Sequence, residues 1–600
     1  MPIYKAPLED VRFVLDTIVG LDNLAALPGY EDATPDVVLQ VLEEGAKLCE
    51  EVLQPLNQSG DAEGCTFENG VVLTPKGFKE AYDTYMAAGW QGLSCDPAYG
   101  GQGLPKLVNT MLEEFICSAN LSFGMYPGLS LGAYNALALY GSDELKARVL
   151  PKLIDGTWAG TMCLTEPHSG TDLGIIRTKA VPQDDAHEEQ TYRITGTKIF
   201  ISAGEHDLTE NIVHLVLARL PDAPAGTRGI SLFLVPKYLP KDDGTLGPRN
   251  GVTCGSIEHK MGIKASSTCV MNFDDATGWL VGEAHKGMRA MFVMMNAARL
   301  AVGIQGLGLA EVAYQNAAAY AKERLQGRSV KGARFPDRPA DPIIVHPDVR
   351  RNLLTARAYT EGCRALGALV GYHLDVAERH ADPKQRQASD EFVQLMTPIV
   401  KALFTDIGSE AANIAVQVHG GHGFIWETGV EQFVRDARIT QIYEGTNGIQ
   451  ALDLVGRKMG QDMGRLLRRF FHPISEELQA DMEDESLAEF VLPVAKAFAK
   501  LQQATGIIAQ KGMKDPEEAA AAATDYLRLF GLVALGWMWL KMVKAARAKQ
   551  SQGDGNAAFY AAKLTTARFY MTKLLPQVNS LFITIMAGAK PLMEMEDAMF

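Results

Sequence analysis

Short β-rich segments separate two long stretches of helical periodicity, and this order constrains the fold more than any other feature. Apolar positions recur at helical spacing from Asp36 to about 155 and again over about 286–460. Between them, segments such as TYRITGTKIFIS and GISLFLVPK are β-branched and bounded by Gly, Pro, Asp or Asn, as strands are. Strands and helices do not alternate. The sequence therefore predicts a mainly α chain with a central β-domain.

The 600 residues divide into five predicted segments. These are an N-terminal extension (1–36), an N-terminal helical domain (37–156) with its last two helices around 105–121 and 126–155, a central β-domain (157–282), a helical bundle (283–463) and an additional C-terminal helical domain (464–600). The bundle contains small residues three or four positions apart, which predicts closely packed helices: Gly303, Gly306, Ala310, Ala313, Ala317 and Ala321. The proline-rich stretch 327–347 cannot be helical, so it is expected to be an ordered loop or a linker.

Charge and composition limit which partners the protein is expected to bind and where in the cell it is expected to lie. The net charge is −15 and the pI about 5.4, which disfavours binding of nucleic acid or anionic lipid through a net excess of Lys and Arg. The eight cysteines are scattered, without metal-binding spacing, so we expect reduced thiols. With no basic-then-apolar leader at the N-terminus, the expected location is the cytoplasm. The longest apolar run, Leu529 to Leu540, is shorter than the ~20 residues that span a bilayer, which predicts a buried helix and no transmembrane segment.

Two motifs outside the main pattern suggest other chemistry. Gly128-Leu129-Ser130-Leu131-Gly132 matches the nucleophile elbow of hydrolases, but its surroundings predict a helix rather than a strained strand-to-helix turn. His419 and His422 flank two glycines but lack a third ligand at metal-binding spacing, so no metal site is predicted. They are interpreted as structural residues or ligand contacts.

Three further segments carry chemistry together. Residues 162–172 (MCLTEPHSGTD) leave a strand into a loop of hydroxyl groups and backbone amides. Residues 198–204 (KIFISAG) place an aromatic side chain and a hydroxyl group on one side of a strand. The third segment comprises QVHGGHGF (417–424), RDAR (435–438) and IYEGTN (442–447). Its glycines allow the backbone to approach a ligand closely, and it has one carboxylate in a turn.

In this order and spacing, these motifs resemble those of the acyl-CoA dehydrogenases, a family of flavoproteins. The resemblance covers roughly residues 37–460. The N-terminal extension and the C-terminal helical block are similar to the long-form bacterial branch, which includes enzymes for fatty acyl-CoA and for 3-methylthiopropanoyl-CoA. The resemblance implies FAD as cofactor, an acyl-CoA as substrate and an electron-transfer flavoprotein as electron acceptor.

The resemblance also assigns residues. Glu444 corresponds to the base that removes the α-proton of the thioester, and its backbone N–H to a donor for the thioester oxygen. Ile442 and Tyr443 are expected to exclude water around Glu444, which would raise its basicity. Phe200 corresponds to the aromatic residue behind the flavin ring and Ser202 to the hydroxyl near its N5. The other implied flavin contacts are Met162, Leu164, Thr165, Thr171, Arg324, Gln417, Gly420, Gly421, Thr446 and Asn447.

In relatives, residues matching Arg324, Gln417, Gly420 and Gly421 contact the flavin of a neighbouring subunit. The resemblance therefore implies an oligomer, and the additional C-terminal block favours a homodimer. Arg324 is followed by Leu-Gln-Gly, where the family usually has an aromatic residue three positions on.

Chain length is the least constrained property. In relatives, the stretch matching 125–140 lines the far end of the acyl pocket, which implies substrate contacts for Gly128, Gly132 and Ala133. Their small size is compatible with an open channel, which predicts medium-to-long fatty acyl-CoA in β-oxidation, and equally with close helix packing. Three alternatives remain: a 3-methylthiopropanoyl-CoA dehydrogenase, an acyl-CoA oxidase, and a non-catalytic relative that serves as a scaffold.

Overall fold

The computed structural model describes residues 2–183, 190–241, 244–553 and 556–600. In chain order, the α-helices of the described residues are α1 Leu8–Val14, α2 Leu21–Ala25, α3 Pro35–Leu48, α4 Pro55–Glu63, α5 Phe78–Ala87, α6 Lys106–Tyr140, α7 Asp143–Ile154, α8 Gly287–Glu323, α9 Pro347–Arg379, α10 Pro383–His419, α11 Gly421–Phe424, α12 Glu431–Thr440, α13 Asn447–Asp453, α14 Arg465–Asp481, α15 Ala488–Gly512, α16 Pro516–Ser551, α17 Ala557–Phe569, α18 Gln577–Ala587 and α19 Lys590–Met593. The strands are β1 Thr66–Glu68, β2 Val71–Leu73, β3 Trp158–Cys163, β4 Lys179–Pro182, β5 Thr191–Ser202, β6 Asn211–Arg219, β7 Ile230–Pro236, β8 Tyr238–Pro240, β9 Leu246–Arg249, β10 Val252–Ile257 and β11 Thr268–Val281. The predicted fold class is confirmed.

The chain forms two compact units, each assembled from separate pieces of sequence. Unit 1 comprises Met1–Ala46, Pro105–Ser118 and Val302–Phe600, and unit 2 comprises Lys47–Leu104 and Ala119–Ala301. The N-terminal extension and the C-terminal block thus belong to the same unit. The five predicted domain boundaries stay a prediction.

Unit 2 is built around a mixed seven-stranded sheet. Its strand order is β10-β11-β5-β4-β6-β3, with β7 paired to both β11 and β6. β3 runs parallel to β6, and β5 runs antiparallel to the long strand β11. Apolar side chains on the sheet and on the second half of α6 form the buried core of this unit. This core holds the carboxyl end of β3 and the end of β5 in place.

Unit 1 is a helical assembly with very close helix contacts. A Cβ atom at Gly306 of α8 would lie 2.4 Å from the Phe404 carbonyl oxygen of α10, and one at Gly408 would lie 2.6 Å from the Gly306 carbonyl oxygen. Glycine is therefore required at this crossing, and the predicted seam of small residues is confirmed there. The run from Leu529 to Leu540 in α16 is buried throughout, as predicted.

The proline-rich stretch 327–347 is an ordered loop around one carboxylate. Asp341 is completely buried and accepts hydrogen bonds from the backbone N–H groups of Ser329, Arg334 and Phe335 at 2.9–3.0 Å. These bonds lower the pKa of Asp341 to about 2. Of the two expectations for this stretch, the ordered loop is correct.

A buried charge network joins distant parts of unit 1. Arg364 of α9 lies 2.5 Å from both Glu114 of α6 and Glu311 of α8, and it also contacts Asp10 of α1. Lys563 of α17 contacts Asp10 as well. Burial alone would raise the pKa of Asp10, but the charges of Lys563 and Arg364 outweigh it and hold this pKa below its ordinary value. Removal of one partner would leave buried charges uncompensated.

The predicted helix boundaries around residues 105–155 need one correction. The predicted break after about residue 121 is found as a kink inside α6, where Asn120 has non-helical φ and ψ values of −160° and 91°. Asn120 Oδ1 accepts the Phe123 N–H at 3.0 Å, as an N-cap residue does, and its Nδ2 donates to the Leu53 carbonyl oxygen, so Asn120 begins the second half of α6. The correction concerns the single helix predicted over 126–155: the chain breaks at Gly141, and Ser142 caps the next helix by accepting the Leu145 N–H.

Candidate active site

The loop after β3, which carries predicted flavin contacts, is held by one buried carboxylate. Glu166 accepts hydrogen bonds from the backbone N–H groups of Arg177 at 2.7 Å and Thr178 at 3.0 Å. The Thr178 hydroxyl donates a third bond to it at 2.6 Å. Glu166 and Ser169 also exchange backbone hydrogen bonds of 2.9 Å across the loop. The loop is therefore a fixed structure rather than a loose connection.

Lys198 ties this loop to β5. Its ammonium group is completely buried and donates to Glu166 Oε1 at 2.9 Å and to the Leu164 carbonyl oxygen at 3.0 Å. The next residue, Ile199, donates its N–H to the Thr165 carbonyl oxygen at 2.9 Å. Burial lowers the pKa of Lys198 against the opposing effect of Glu166. Burial also opposes ionisation of Glu166, but the Lys198 charge and the hydrogen bonds outweigh it and lower the Glu166 pKa.

Phe200 and Ser202 lie at the end of β5, where the pairing with β11 is irregular. Phe200 is 60% exposed and has a φ of +57°, which is rare outside glycine. The pairing shifts between Lys198 opposite Met271 and Ile201 opposite Cys269, which marks a β-bulge. Ile201 is buried and Ser202 half-buried, so the predicted alternation from Phe200 to Ser202 is kept. A large aromatic side chain is thus presented at a backbone position that costs energy to maintain.

Two predicted cofactor residues, Gly420 and Gly421, and Gly170 of the loop after β3 leave room beside the main chain. A Cβ atom built at Gly170, Gly420 or Gly421 would meet no atom within 4 Å. In unit 2, Met162, Leu164 and Thr165 are half-buried and Thr171 is exposed. Within unit 2, the open space beside Gly170 and the exposed aromatic face of Phe200 fit a ligand with both phosphates and a planar ring, such as FAD.

Glu444 occupies a strained turn between α12 and α13. Its φ is +58°, and the following Gly445 has a φ of +86°. Glu444 is half-buried. The hydroxyl of its neighbour Tyr443 donates to Gln305 of α8, and burial raises the pKa of this hydroxyl. Ile442 is 45% exposed, and the expected exclusion of water from Glu444 by this side chain stays a prediction.

The Asn447 side chain makes hydrogen bonds to two residues of α10. Its Oδ1 accepts a hydrogen bond from Lys401 Nζ at 2.9 Å, and its Nδ2 donates to Asp406 Oδ1 at 2.7 Å. The side chain therefore anchors the turn to α10. Thr446 caps α13, because its hydroxyl oxygen accepts the Ile449 N–H at 3.4 Å.

The remaining predicted cofactor residues of unit 1 lie on its surface. Gln417 is exposed near the end of α10, and Arg324 is exposed directly after α8. His419 stacks on Tyr320 with ring centroids 4.2 Å apart, and Tyr320 OH lies 3.2 Å from His422 Nδ1. Among the described residues, no group of three or more His, Cys, Asp or Glu side chains could hold a metal ion.

The three predicted acyl-pocket residues lie on α6 in unit 2, and two of them are closely packed. A Cβ atom at Gly132 would lie 3.1 Å from Met294 Cγ and 3.2 Å from its Cε. A Cβ atom at Gly160 of β3 would lie 2.4 Å from Ala133 Cβ. Of the three, only Gly128 faces open space, since a Cβ atom added there would meet no atom within 4 Å. The open-channel interpretation is therefore not supported at Gly132 and Ala133, because packing partners fill the volume.

The same stretch contains the hydrolase-like motif. Ser130 is buried inside α6, and its hydroxyl oxygen accepts the Gly160 N–H at 3.1 Å. The helical interpretation of this motif is confirmed.

Sequence reasoning missed the residues that hold the site. The sequence motifs contain Glu166 and Lys198 without revealing that they pair, and Lys401 and Gln450 lie outside every motif. The signal for Lys198 was a lysine at an inward position of an apolar strand, which requires a buried partner. No comparable signal marks Gln450, because a glutamine in a helix is ordinarily a solvated residue.

Four family models match the chain in succession. They are described as the acyl-CoA dehydrogenase N-terminal domain (residues 39–157), middle domain (161–276) and C-terminal domain (285–459), and as the acetyl-CoA dehydrogenase C-terminal like region (471–596). Together they cover most of the chain.

Full-length relatives agree with these matches. The chain is 46% identical over 580 residues to 3-methylmercaptopropionyl-CoA dehydrogenase of Ruegeria pomeroyi, covering 96% of this chain and 97% of the relative. It is 34% identical over 619 residues to the broad-specificity linear acyl-CoA dehydrogenase FadE5 of Mycobacterium tuberculosis, covering 100% of both chains. A crystal structure of an acyl-CoA dehydrogenase complexed with FAD from Bacillus anthracis has the same fold, with a TM-score of 0.75 and 22% identity over 96% of this chain and 91% of that one.

The chain belongs to the acyl-CoA dehydrogenase family. It is therefore an oxidoreductase that acts on the CH–CH bond of acyl-CoA thioesters, with FAD as its cofactor.

Two helices, Gly287–Glu323 and Pro516–Ser551, are long and apolar enough to cross a membrane. The apolar windows of these helices are 61% and 83% buried inside the protein. Buried core helices pass the same test, so this finding is weak evidence for a membrane span.

Proposed function

We propose that this dehydrogenase acts on short acyl-CoA thioesters and that 3-methylmercaptopropionyl-CoA is its preferred substrate. The observation that carries this proposal is Met294, whose side chain fills the volume beside Gly132. The 46% identity to the Ruegeria pomeroyi enzyme supports the same substrate. The proposal replaces the medium-to-long-chain preference expected from the small residues of α6.

In the proposed reaction, the Glu444 carboxylate removes the proton from the α-carbon of the acyl group. FAD, when bound, supplies the acceptor for the hydride that leaves the β-carbon. Negative charge develops on the thioester oxygen as the α-proton leaves, and the backbone N–H of Glu444 is the proposed donor to this oxygen. The strained backbone at Glu444 supports a functional role, because such strain is concentrated at reactive sites.

The residues proposed to hold FAD fall into two groups. In unit 2, they are Met162, Leu164, Thr165, Thr171, Phe200 and Ser202. In unit 1, they are Arg324, Gln417, Gly420, Gly421 and Thr446. The side chain of Asn447 is left out because it is bonded to α10.

We also propose a homodimer in which unit 1 residues complete the flavin site of a second copy. An exposed apolar cluster directly follows Gly420 and Gly421: Phe424 is 83%, Ile425 45% and Trp426 52% exposed. A second subunit would remove this apolar surface from water. The proposed electron acceptor is an electron-transfer flavoprotein, and the cytoplasmic location stays a prediction.

Anaerobic flavin bleaching across a panel of acyl-CoA substrates tests the substrate proposal. The panel contains 3-methylmercaptopropionyl-, butanoyl-, octanoyl- and palmitoyl-CoA. We expect the fastest bleaching with the first and progressively slower bleaching with octanoyl- and palmitoyl-CoA. Faster bleaching by octanoyl- and palmitoyl-CoA would contradict the proposal and favour the medium-to-long-chain preference instead.

A parallel experiment separates the dehydrogenase from an oxidase. The reduced enzyme is mixed either with air or with an electron-transfer flavoprotein. We expect slow reoxidation in air and fast reoxidation by the flavoprotein. Rapid formation of hydrogen peroxide in air would instead identify an acyl-CoA oxidase.

A further inference from the structure

The turn that carries Glu444 adopts a backbone conformation that its own residues do not favour. Glu444 and Gly445 both have positive φ values, +58° and +86°. Glycine adopts this region freely, but glutamate does so only when its surroundings enforce it. Some contact outside the turn must therefore hold the main chain at Glu444.

Gln450 of α13 makes such a contact. Its side-chain Nε2 donates to the carbonyl oxygens of both Glu444 and Gly445, each at 3.1 Å. Gln450 is completely buried. One amide group thus bonds the two residues with positive φ and fixes the direction of both peptide groups.

The orientation of the Gln450 amide follows from these bonds. A reversed amide would place Oε1 against two carbonyl oxygens, which also carry negative partial charge. In the orientation found, Oε1 is buried and has no hydrogen-bond partner among the residues that the structure describes. An acceptor left without a partner is costly in a buried position. The amide therefore keeps both hydrogen bonds to the turn, while its Oε1 is left without a hydrogen-bond partner.

The position of Gln450 is itself fixed. Its backbone N–H bonds the Thr446 carbonyl oxygen at 3.0 Å in the first turn of α13. The same helix is anchored to α10 through Asn447 and Lys401, whose contact is 2.9 Å. The Asn447 N–H also bonds the Gln441 carbonyl oxygen at 3.1 Å and so closes the turn. Because α13 is fixed to α10, the hydrogen bonds of Gln450 also fix the main chain at Glu444.

We propose that Gln450 is a positioning residue for proton removal: it holds the strained turn so that the Glu444 carboxylate and N–H keep the direction that the reaction requires. This inference rests on the proposed role of Glu444 as the base. It adds to that role a residue that does not itself contact the substrate.

Gln450→Met tests the inference, because methionine matches glutamine in length but cannot donate. In the FAD-loaded enzyme we expect kcat to fall about 10- to 100-fold, the size of effect that a small misplacement of a reacting group produces. KM and FAD content should stay close to those of the unmodified enzyme. The isotope effect measured with α-deuterated substrate should rise, because proton removal becomes more nearly rate-limiting.

Gln315→Met is the matched control. Gln315 also donates its Nε2 to a backbone carbonyl oxygen, that of Lys5 at 2.7 Å, but on α8 and not in the turn. This variant should keep the kcat and the isotope effect of the unmodified enzyme. Gln450→Glu is a second variant at the same site. Burial beside two carbonyl oxygens favours the protonated acid, which has one O–H to donate where the amide donates two N–H bonds, so we expect a loss of kcat that is smaller than with methionine.

Three outcomes are distinguishable. Unchanged kcat and isotope effect in both Gln450 variants would overturn the positioning role. Equal losses in Gln450→Met and Gln315→Met would also overturn it, because the effect would then be one of general stability. Glu444→Gln, measured in the same series, tests the base alone: if that variant bleaches normally, the proposed function fails, whatever the result at Gln450.

Discussion

Lys198 Nζ lies 2.9 Å from Glu166 Oε1, and both side chains are buried in unit 2. The same ammonium group bonds the Leu164 carbonyl oxygen at 3.0 Å. The pair thus joins the loop that follows β3 to the strand that carries Phe200. Two segments about 30 positions apart in the sequence are held in one arrangement by this ion pair, together with the hydrogen bonds of Lys198 and Ile199 to the loop.

Lys198→Met should loosen both segments and weaken FAD binding. The substitution leaves Glu166 buried without its charged partner, which typically costs about 3–5 kcal/mol. We expect a lower unfolding temperature and loss of FAD on gel filtration, measured as the ratio of absorbance at 450 nm to that at 280 nm. Glu166→Gln/Lys198→Met removes both charges and should recover part of the stability. If Lys198→Met alone keeps full FAD content and thermal stability, the ion pair does not hold the loop.

Glu444→Gln should abolish the reductive half-reaction while leaving binding intact. Glutamine keeps the shape and the backbone of the turn but cannot accept the α-proton. General-base catalysis typically contributes 10²- to 10⁴-fold, so bleaching should slow by at least about 100-fold. Stopped-flow absorbance under anaerobic conditions measures the rate, and titration with substrate checks binding. Near-normal bleaching would mean that another group removes the proton.

Met294→Ala should extend the range of acyl chains. The smaller side chain opens space beside Gly132, and each CH₂ buried there should add about 0.8 kcal/mol of binding. We expect kcat/KM for octanoyl-CoA to rise relative to 3-methylmercaptopropionyl-CoA. Gly132→Phe, by contrast, has no room beside Met294 and should lower the unfolding temperature rather than shorten an open channel. An unaltered chain-length profile in Met294→Ala would show that this volume does not belong to the acyl site.

Acid should destabilise unit 2 through buried histidines. Burial, aided by the charge of Lys237, lowers the pKa of both His206 and His214 to about 3. Both are therefore neutral in the folded chain, whereas the unfolded chain binds protons below pH ~6.5. Stability is fully present above that pH and falls by about 1.4 kcal/mol per pH unit for each histidine as the pH drops toward 3.

The unfolding temperature of His214→Gln, followed by calorimetry from pH 7 to pH 5, checks this expectation. The variant should be less stable than the unmodified protein at pH 7, because His214 Nδ1 lies 2.7 Å from the Thr161 hydroxyl oxygen. Its unfolding temperature should nevertheless fall less steeply with acid. Parallel curves for the two proteins would exclude His214 as a source of acid sensitivity.

Dissociation of the proposed dimer should release FAD. Trp426→Glu places a charge in the exposed apolar cluster and should shift the protein toward monomer in light scattering. We expect the monomeric fraction to contain less FAD. A monomer that retains one FAD per chain would contradict a flavin site completed by a second copy.

The sequence was sufficient for the order of helical and β-rich segments and for the close crossing at Gly306. Periodicity reports which faces of local elements are buried, and small residues at regular spacing report helix contact. It was also sufficient to place Phe200 and Glu444 within motifs, but not to show that both have positive φ. That strain arises from a bulge opposite β11 in one case and from contacts of α13 in the other.

The sequence did not show which residues, distant along the chain, the small and polar residues contact. Gly132 was compatible with either a channel or packing, and the sequence did not show that Met294 packs beside it. Asn447 resembled a phosphate contact because its motif neighbours do, whereas its side chain is bonded to residues 41 and 46 positions earlier. Hydrogen bonds between residues so far apart leave no periodic signal in the sequence.

The charge network around Arg364 sets an order of events during synthesis. Its carboxylate partners come from Asp10, Glu114 and Glu311, and the cation that shares Asp10 is Lys563, near the end of the chain. All pieces of unit 2 have left the ribosome once Ala301 has emerged, but unit 1 cannot complete its interior until Lys563 has emerged as well. Until then, buried acidic groups of the nascent chain lack part of their counter-charge. The β-rich unit is thus able to fold once Ala301 has emerged, whereas the helical unit must wait for Lys563 to complete its charge network.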